Sequence, residues 1–291
     1  MKEIISKAAT LLEALPYIQR FRSQIFVVKY GGSFMDSSDP EERHRVARDI
    51  VFLEAVGINP VVVHGGGKAI TRALDKTGTK SQFVHGYRVT DSASAEIVDR
   101  VLSREINPEI VKAIQEFGGK ARGFAGPDIF RCRKFSKTDE HGREADLGFV
   151  GEVSEVDVEP LRESIRRRVT PVISPTARGE DGKIYNCNAD IAAAKTAIAL
   201  KARRLVFMSD VPGLLRDPKK SSTLLRHLAV NEVPKWRQKG VIGEGMIPKV
   251  DSAVSAIESG VEKVQFVDGR IPHSVLLEIF TDAGVGTEVV L

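Results

Sequence analysis

Cysteine is nearly missing from this chain of 291 residues: only Cys132 and Cys187 occur, far apart and in no metal-like spacing. That excludes a disulfide framework and a thiolate zinc site, and it suits a reducing compartment, so a cytoplasmic protein is expected. Aromatics are also scarce, 6% of residues with a single tryptophan. The basic runs Arg166–Arg168 and Lys219–Lys220 therefore lack the interleaved rings of a nucleic-acid stacking platform. Charge of one sign is not in excess either, since 43 basic against 39 acidic residues leave +4. Nucleic acid is not an expected partner. No apolar run approaches the roughly 18 residues of a membrane span, and the first twenty residues carry Lys2, Glu3, Lys7, Glu13 and Arg20 without a long apolar core. Neither secretion nor a membrane partner is expected. The 25 glycines and 13 prolines are scattered, which sets aside collagen-like and disordered classes.

What is present is a rhythm. Short runs rich in Val, Ile and Phe (25–29, 60–64, 169–174, 204–209 and 263–267) alternate with helix-length amphipathic segments (41–56, 67–77, 92–102, 107–117, 158–167, 189–200, 246–258 and 274–283). Strand alternating with helix is the pattern of βαβ units, and continuous apolar runs suit strands covered on both faces. The expected fold class is α/β, a three-layer αβα sandwich around a central, mostly parallel sheet. Residues 123–156 and 173–186 instead alternate polar with apolar and contain Asp139-Glu140-His141-Gly142 and Glu180-Asp181-Gly182, so antiparallel hairpins are expected there. Residues 2–20 form an amphipathic helix that precedes the first strand, with Pro16 predicting a kink or an end near Leu15. Its stripe either caps the core or packs on another subunit.

Two strand–glycine–helix junctions carry the first chemical signal. One strand runs through Lys29 into Gly31-Gly32, and the next runs through His64 into Gly65-Gly66-Gly67. Glycines at a strand's carboxyl end let backbone N–H groups approach an anion, and a helix N-terminus behind them adds partial positive charge. Neither matches a P-loop or a dinucleotide fingerprint, because Lys29 precedes its glycines and the triplet lacks G-x-G-x-x-G spacing. Tight turns alone would explain one such junction; two in succession, one headed by a strand lysine, point to phosphate. Further on, Asn188 is placed to cap a small-residue helix whose first turn holds Asp190. Ser209-Asp210-Val211-Pro212-Gly213-Leu214 follows a strand and reads equally as a turn. Lys249 opens a helix after Gly243 and Gly245, a position the helix dipole disfavours, which implies an anion nearby.

Taken in order, Lys29–Gly32, His64–Gly67, Gly86-Tyr87-Arg88-Val89-Thr90-Asp91, Asn186–Asp190, Ser209–Gly213 and Gly245–Lys249 resemble the amino acid kinase family over nearly the whole chain. The Gly86–Asp91 segment is most similar to the branch that phosphorylates N-acetyl-L-glutamate. The resemblance implies transfer of the γ-phosphoryl of ATP, with Mg²⁺ carried on the phosphates and no protein metal ligand, to the γ-carboxylate of that substrate. It implies catalytic roles for Lys29, Lys249 and Asp190, and substrate contacts from Gly66, Gly67, Arg88 and Asn186. The nucleotide and its phosphates would be held by Gly31, Gly32, Ser209, Asp210, Gly213, Leu214, Gly243, Gly245 and Met246. Residues 22–185 would then be the substrate lobe and 186–291 the nucleotide lobe, sharing one sheet, after a regulatory helix at 1–21.

By the same resemblance, arginine-inhibited members use such a helix to join three dimers into a hexamer. They bind the effector near residues matching Tyr17, Glu278, Gly284 and Gly286, and some take a P-II signalling protein as partner. Two rivals stay open: a sibling kinase for a carboxylate one methylene longer, such as acetylaminoadipate, which a pocket separates by only about 1–3 kcal/mol, and a non-catalytic arginine-sensing scaffold of the same fold.

Overall fold

In the computed structural model, which describes residues 2–32, 35, 37, 39–84, 86–138, 144–243 and 245–291, the two strands β1 (Ile25–Tyr30) and β2 (Asn59–His64) lie side by side in the interior of an eight-stranded sheet. They run parallel, with Tyr30 opposite His64. Outward from β2 follow β10 (Thr170–Ile173) and β5 (Ala121–Phe124); outward from β1 follow β13 (Arg204–Ser209), β15 (Lys263–Asp268), β16 (Thr287–Val290) and β14 (His227–Ala229). Only β15 and β16 pair antiparallel within it.

Side chains alternate across a strand, and here the alternation builds the layers. Val27, Val61, Leu205 and Phe207 pack on one face with α8 (Ala189–Leu200) and α10 (Ile247–Glu258). Phe26, Val28, Val62 and Val206 pack on the other with α2 (Pro40–Ala55), α5 (Asn107–Glu116) and α11 (Ser274–Ile279). Ala192, Ala193, Ala194 and Ala197 of α8 are buried, so this helix lies close to the sheet.

The ribbons expected from the alternating stretches exist, but they do not extend the sheet. The antiparallel pair β6 (Phe130–Lys134) and β9 (Val150–Val156) and the antiparallel pair β11 (Thr176–Gly179) and β12 (Ile184–Cys187) close on each other as a four-stranded barrel. Cys132, Val153, Ala177 and Tyr185 share the buried cluster there, and burial of that common interior favours closure. A two-residue pair, β7 (Lys137–Thr138) and β8 (Glu144–Ala145), leaves this barrel, and the hairpin turn expected at Asp139–Gly142 falls outside the described residues. Arg88 stands on another small hairpin, β3 (Phe83–Val84) with β4 (Tyr87–Arg88).

Four expectations need correction. Helix α1 (Lys2–Phe21) continues past Pro16, because Tyr17, Ile18 and the fully buried Phe21 dock on the core and outweigh the lost backbone bond. Among its described side chains those of the last turns cap the core, whereas Leu11, Leu12 and Leu15 are 69, 66 and 43% exposed in this chain. Helix α4 (Ser92–Asp99) does not end before α5 but runs into it through a π-helical stretch, Arg100–Ile106, at whose end Pro108 has no N–H to offer the ladder. Helix α11 stops at Ile279, four residues early, because Val285 and Gly286 turn their N–H groups onto the Glu278 carboxylate. Finally, β5, β14 and β16 were not legible as sheet strands: each is a short, edge-proximal strand without a continuous apolar run. Helix α3 (Gly67–Lys76), α6 (Gly126–Ile129), α7 (Glu159–Arg166) and α9 (Val233–Gln238) complete the described α-helices.

Candidate active site

Parallel strands deliver their carboxyl ends to one edge, and both glycine turns meet there. Lys29 is buried near the end of β1, and its side chain folds back over Gly31, where a Cβ would collide with the ammonium. Gly32 adopts φ +138°, a conformation that favours glycine. The Gly65 N–H donates to the Tyr30 carbonyl at 2.7 Å, which ties the second turn to the first. Gly66 precedes α3 and has no room for a side chain, because Leu102 Cδ2 from the π-helical stretch would lie 2.7 Å from its Cβ. Among the described residues the Gly66 and Gly67 N–H groups meet no protein acceptor, as expected for the open donors of a helix start.

The anion implied by Lys249 is Asp190. Asn188 caps α8 by accepting from the N–H groups of Asp190 and Ile191 at 2.8 and 3.3 Å, and this sets Asp190 in the first turn. Lys249, from the first turn of α10, donates to Asp190 Oδ2 at 2.5 Å. Lys29 Nζ lies 3.0 Å from Oδ1, an ion pair off the hydrogen-bond direction, so that buried oxygen has no aligned donor. Burial pushes the Asp190 carboxyl up, but the two ammonium groups outweigh it and hold its pKa at about 2. Burial pushes Lys29 down, Asp190 opposes this, and Lys249 adds to it.

Two compartments meet at this triad. One is lined by Gly66, Gly67, Arg88, Asn186 and Asp190; the other by Ser209, Gly213, Leu214, Gly243, Gly245, Met246 and Lys249. Lys29, Gly31, Gly32 and Asp210 line both. Within the 243–249 segment, Glu244 is outside the described residues. Gly213, at φ +132°, would place a Cβ on Thr287, whose hydroxyl accepts from the Leu214 N–H at 2.9 Å. Arg88 is not a wholly free fork: its guanidinium donates to the Gly67 carbonyl and to Thr71 Oγ1, both at 2.9 Å, and to Ser81, and lies over the Phe83 ring. Asn186 donates to Thr90 Oγ1 at 3.3 Å. Among the described residues no cluster of three or more His, Cys, Asp or Glu is arranged to hold a metal.

Tyr17, Glu278, Gly284 and Gly286 line a separate polar cavity with Arg20, Arg204 and Arg226. Glu278 is not an exposed helix charge; it is buried and accepts from Gln265 Nε2 and from the Val285 and Gly286 N–H groups at 2.7–3.0 Å. Gly284 has φ +57°, and its missing side chain leaves space for that carboxylate. Tyr17 donates to Asp282. A further cavity by Arg22, Asn59 and Arg168 lies at the amino edge of the sheet, away from Lys29.

The profile of the amino acid kinase family matches residues 24–268. The chain belongs to the amino acid kinase family. Among full-length relatives, the acetylglutamate kinase of Carboxydothermus hydrogenoformans is 48% identical over 99% of this chain and 99% of its own. That of Clostridium beijerinckii is 46% identical over 97% and 98%, and that of Methanocaldococcus jannaschii 46% over 99% and 98%. The N-acetylglutamate synthase of Neisseria gonorrhoeae, solved with coenzyme A and N-acetyl-glutamate, superposes with a TM-score of 0.84 at 25% identity; it covers 98% of this chain, which spans 63% of that one. A Giardia carbamate kinase, at 14% identity and a TM-score of 0.63, shares the fold over 92% of this chain and 99% of its own.

In this amino acid kinase, several cleft residues carried no legible signal. Phe83, Val150 and Pro175 line the first compartment from the small hairpin, from β9 and from the turn before β11, all outside the glycine turns in sequence. Tyr87 stacks on Phe135 at 4.4 Å between ring centres, a contact that only the fold of the barrel creates.

Proposed function

We propose that this enzyme transfers the γ-phosphoryl group of ATP to the γ-carboxylate of N-acetyl-L-glutamate, giving N-acetyl-L-glutamyl 5-phosphate and ADP, the second step of arginine biosynthesis. The observation that carries the chemistry is the meeting of Lys29 and Lys249 on Asp190 where the two compartments join. The substrate reading is supported by full-length relatives named acetylglutamate kinase. The compartment of Gly66, Gly67, Arg88 and Asn186 takes the acetylamino acid, and that of Ser209–Leu214 and Gly243–Met246 takes the nucleotide. The lobes accordingly divide near residue 186.

The attacking carboxylate is ionised near pH 7, so no general base is required. One of its oxygens forms a bond to the γ-phosphorus as the bond to the ADP oxygen breaks. Charge on the equatorial oxygens is met by Lys29 and Lys249 from two sides and by the Gly31, Gly32, Gly66 and Gly67 amides. Asp190 keeps both ammonium groups in place, and Asp210 faces both compartments. Mg²⁺ carried on the ATP phosphates would neutralise charge there, which suits a site whose central carboxylate is already engaged by two lysines. K249A is expected to lower turnover by orders of magnitude, measured by trapping the acyl phosphate as a hydroxamate, with assembly unchanged. Activity close to that of the parent enzyme would remove the catalytic assignment.

Regulation follows the cavity at Tyr17. Arginine binds there, its carboxylate among Arg20, Arg204 and Arg226 and its cationic end toward Glu278, near Gly284 and Gly286. The exposed Leu11, Leu12 and Leu15 of α1 join dimers into a homo-hexamer in the cytoplasm, with a P-II protein as a candidate partner. Arginine is expected to raise the half-saturating acetylglutamate concentration, and deletion of residues 1–20 to abolish that response. A truncated enzyme that stays hexameric and equally sensitive contradicts it.

A further inference from the structure

His64 is fully buried at the end of β2, directly before the three glycines, and the phosphoryl-transfer reading above assigns it nothing. Its surroundings nevertheless determine where its proton sits. Asn107 Nδ2 donates to the Val172 carbonyl at 2.9 Å, and since a carbonyl only accepts, the orientation of the Asn107 amide is settled. The same Nδ2 lies 3.2 Å from His64 Nε2, so its second hydrogen points there and Nε2 must be the bare, accepting nitrogen. The proton therefore resides on Nδ1, which donates to the Gly65 carbonyl at 2.8 Å. Burial pushes the imidazole pKa down to about 4, so the ring is neutral at working pH. Space for this relay comes from Gly123 on β5, where any side chain would strike Asn107 Oδ1.

The Gly65 carbonyl and the Gly66 N–H are two ends of one trans peptide plane and point in opposite directions. The preceding peptide plane is held through the Gly65 N–H by the Tyr30 carbonyl, and the imidazole bond to the Gly65 carbonyl restrains the Gly65–Gly66 plane itself. We infer that His64, as its Nδ1–H tautomer locked by Asn107, is a positioning residue that aims the Gly66 amide into the cleft toward the transferring phosphoryl group. This inference rests on the kinase reading of the cleft. His64 touches no substrate; it acts through the Gly66 donor, whose misalignment weakens transition-state stabilisation more than ground-state binding.

Two measurements test it. In the wild-type protein, a long-range proton–nitrogen-15 spectrum at pH 7.5 is expected to show His64 protonated at Nδ1 and bare at Nε2; protonation at Nε2 overturns the inference and needs no variant. H64N keeps a donor at the Nδ1 position, whereas H64Q moves it to the Nε2 position. Per folded molecule, with ATP, Mg²⁺ and N-acetylglutamate, H64Q is expected to lose on the order of tenfold to a hundredfold in kcat, less than outright removal of an oxyanion donor, with KM for ATP little changed. H64N should recover most of that loss. Equal kcat in the two variants, with stability alone reduced, means a purely packing role and overturns the inference. Should both variants fail to fold, the tautomer decides alone. A wild-type enzyme that forms no hydroxamate refutes the kinase reading instead, and leaves the Nδ1–H assignment standing as a separate result.

Discussion

Replacing Asp190 by asparagine removes the one charge that two buried lysines share while keeping the side chain's shape. Lys29 and Lys249 lie 3.0 and 2.5 Å from its two oxygens, and those contacts hold its pKa at about 2 against 3.8 in the unfolded chain. A depression of this size corresponds to about 2–3 kcal/mol of stabilisation. The variant also leaves two ammonium groups facing each other in a desolvated site, and stripping one partner from a buried pair costs about 3–5 kcal/mol. A loss of about 3 kcal/mol at pH 7 is therefore expected from urea unfolding. The sign follows from the lowered pKa: stabilisation by Asp190 is fully present above pH 3.8 and fades as pH falls toward 2, so the deficit of D190N shrinks over that interval. Lys29 without its counter-charge loses its proton more readily, and kcat for hydroxamate-trapped product should fall by about 10²–10³. A D190N enzyme with kcat within about threefold of wild type and less than about 0.5 kcal/mol of lost stability would refute the clamp.

Two further outcomes are specific to the fold. G66A should destabilise by about 1–3 kcal/mol through overpacking against Leu102 and Ile106, whereas G67A, whose Cβ would meet nothing within 4 Å, should be nearly neutral in stability; equal unfolding midpoints for the two would show that the π-helical stretch yields. Asp49, buried in α2 and 2.6 Å from His273 Nδ1, has its carboxyl pushed up by burial to about 6. Because the folded state then holds a proton that the unfolded chain has released, stability falls as pH rises from 3.8 to about 6. D49N should accordingly gain up to about 3 kcal/mol at pH 8 and nothing near pH 3, and a pH-independent difference between the two proteins would contradict this.

Much of the site was legible because its parts are local. A glycine after a strand, an asparagine before a helix and a lysine against a helix dipole each leave a mark in a few adjacent residues, as at Gly31-Gly32, Asn188 and Lys249. Arg88 was legible as a cleft residue but not as one whose donors partly serve Ser81, Thr71 and Gly67. Its partners are separated along the chain, and no pattern announces them. Closure of the barrel was equally hidden, since alternation tells that a ribbon has one buried face but not what covers it. Glu278 shows the same limit: the resemblance implied an effector contact there, but nothing local in its helix announces that the returning backbone of Val285 and Gly286 engages its buried carboxylate.

Local physics in the sequence determined the layers: continuous apolar runs demand strands buried on both faces, and amphipathic segments between them supply the covering helices. Convergence belongs to the tertiary structure alone. Lys29 and Lys249 are more than two hundred residues apart in the chain, and they share a carboxylate only because β1 lies in the sheet's centre and α8 and α10 pack on the same face of it. The proton on His64 of β2 is likewise settled by tertiary contacts, since Asn107 of α5 meets the imidazole and is itself oriented by the Val172 carbonyl of β10.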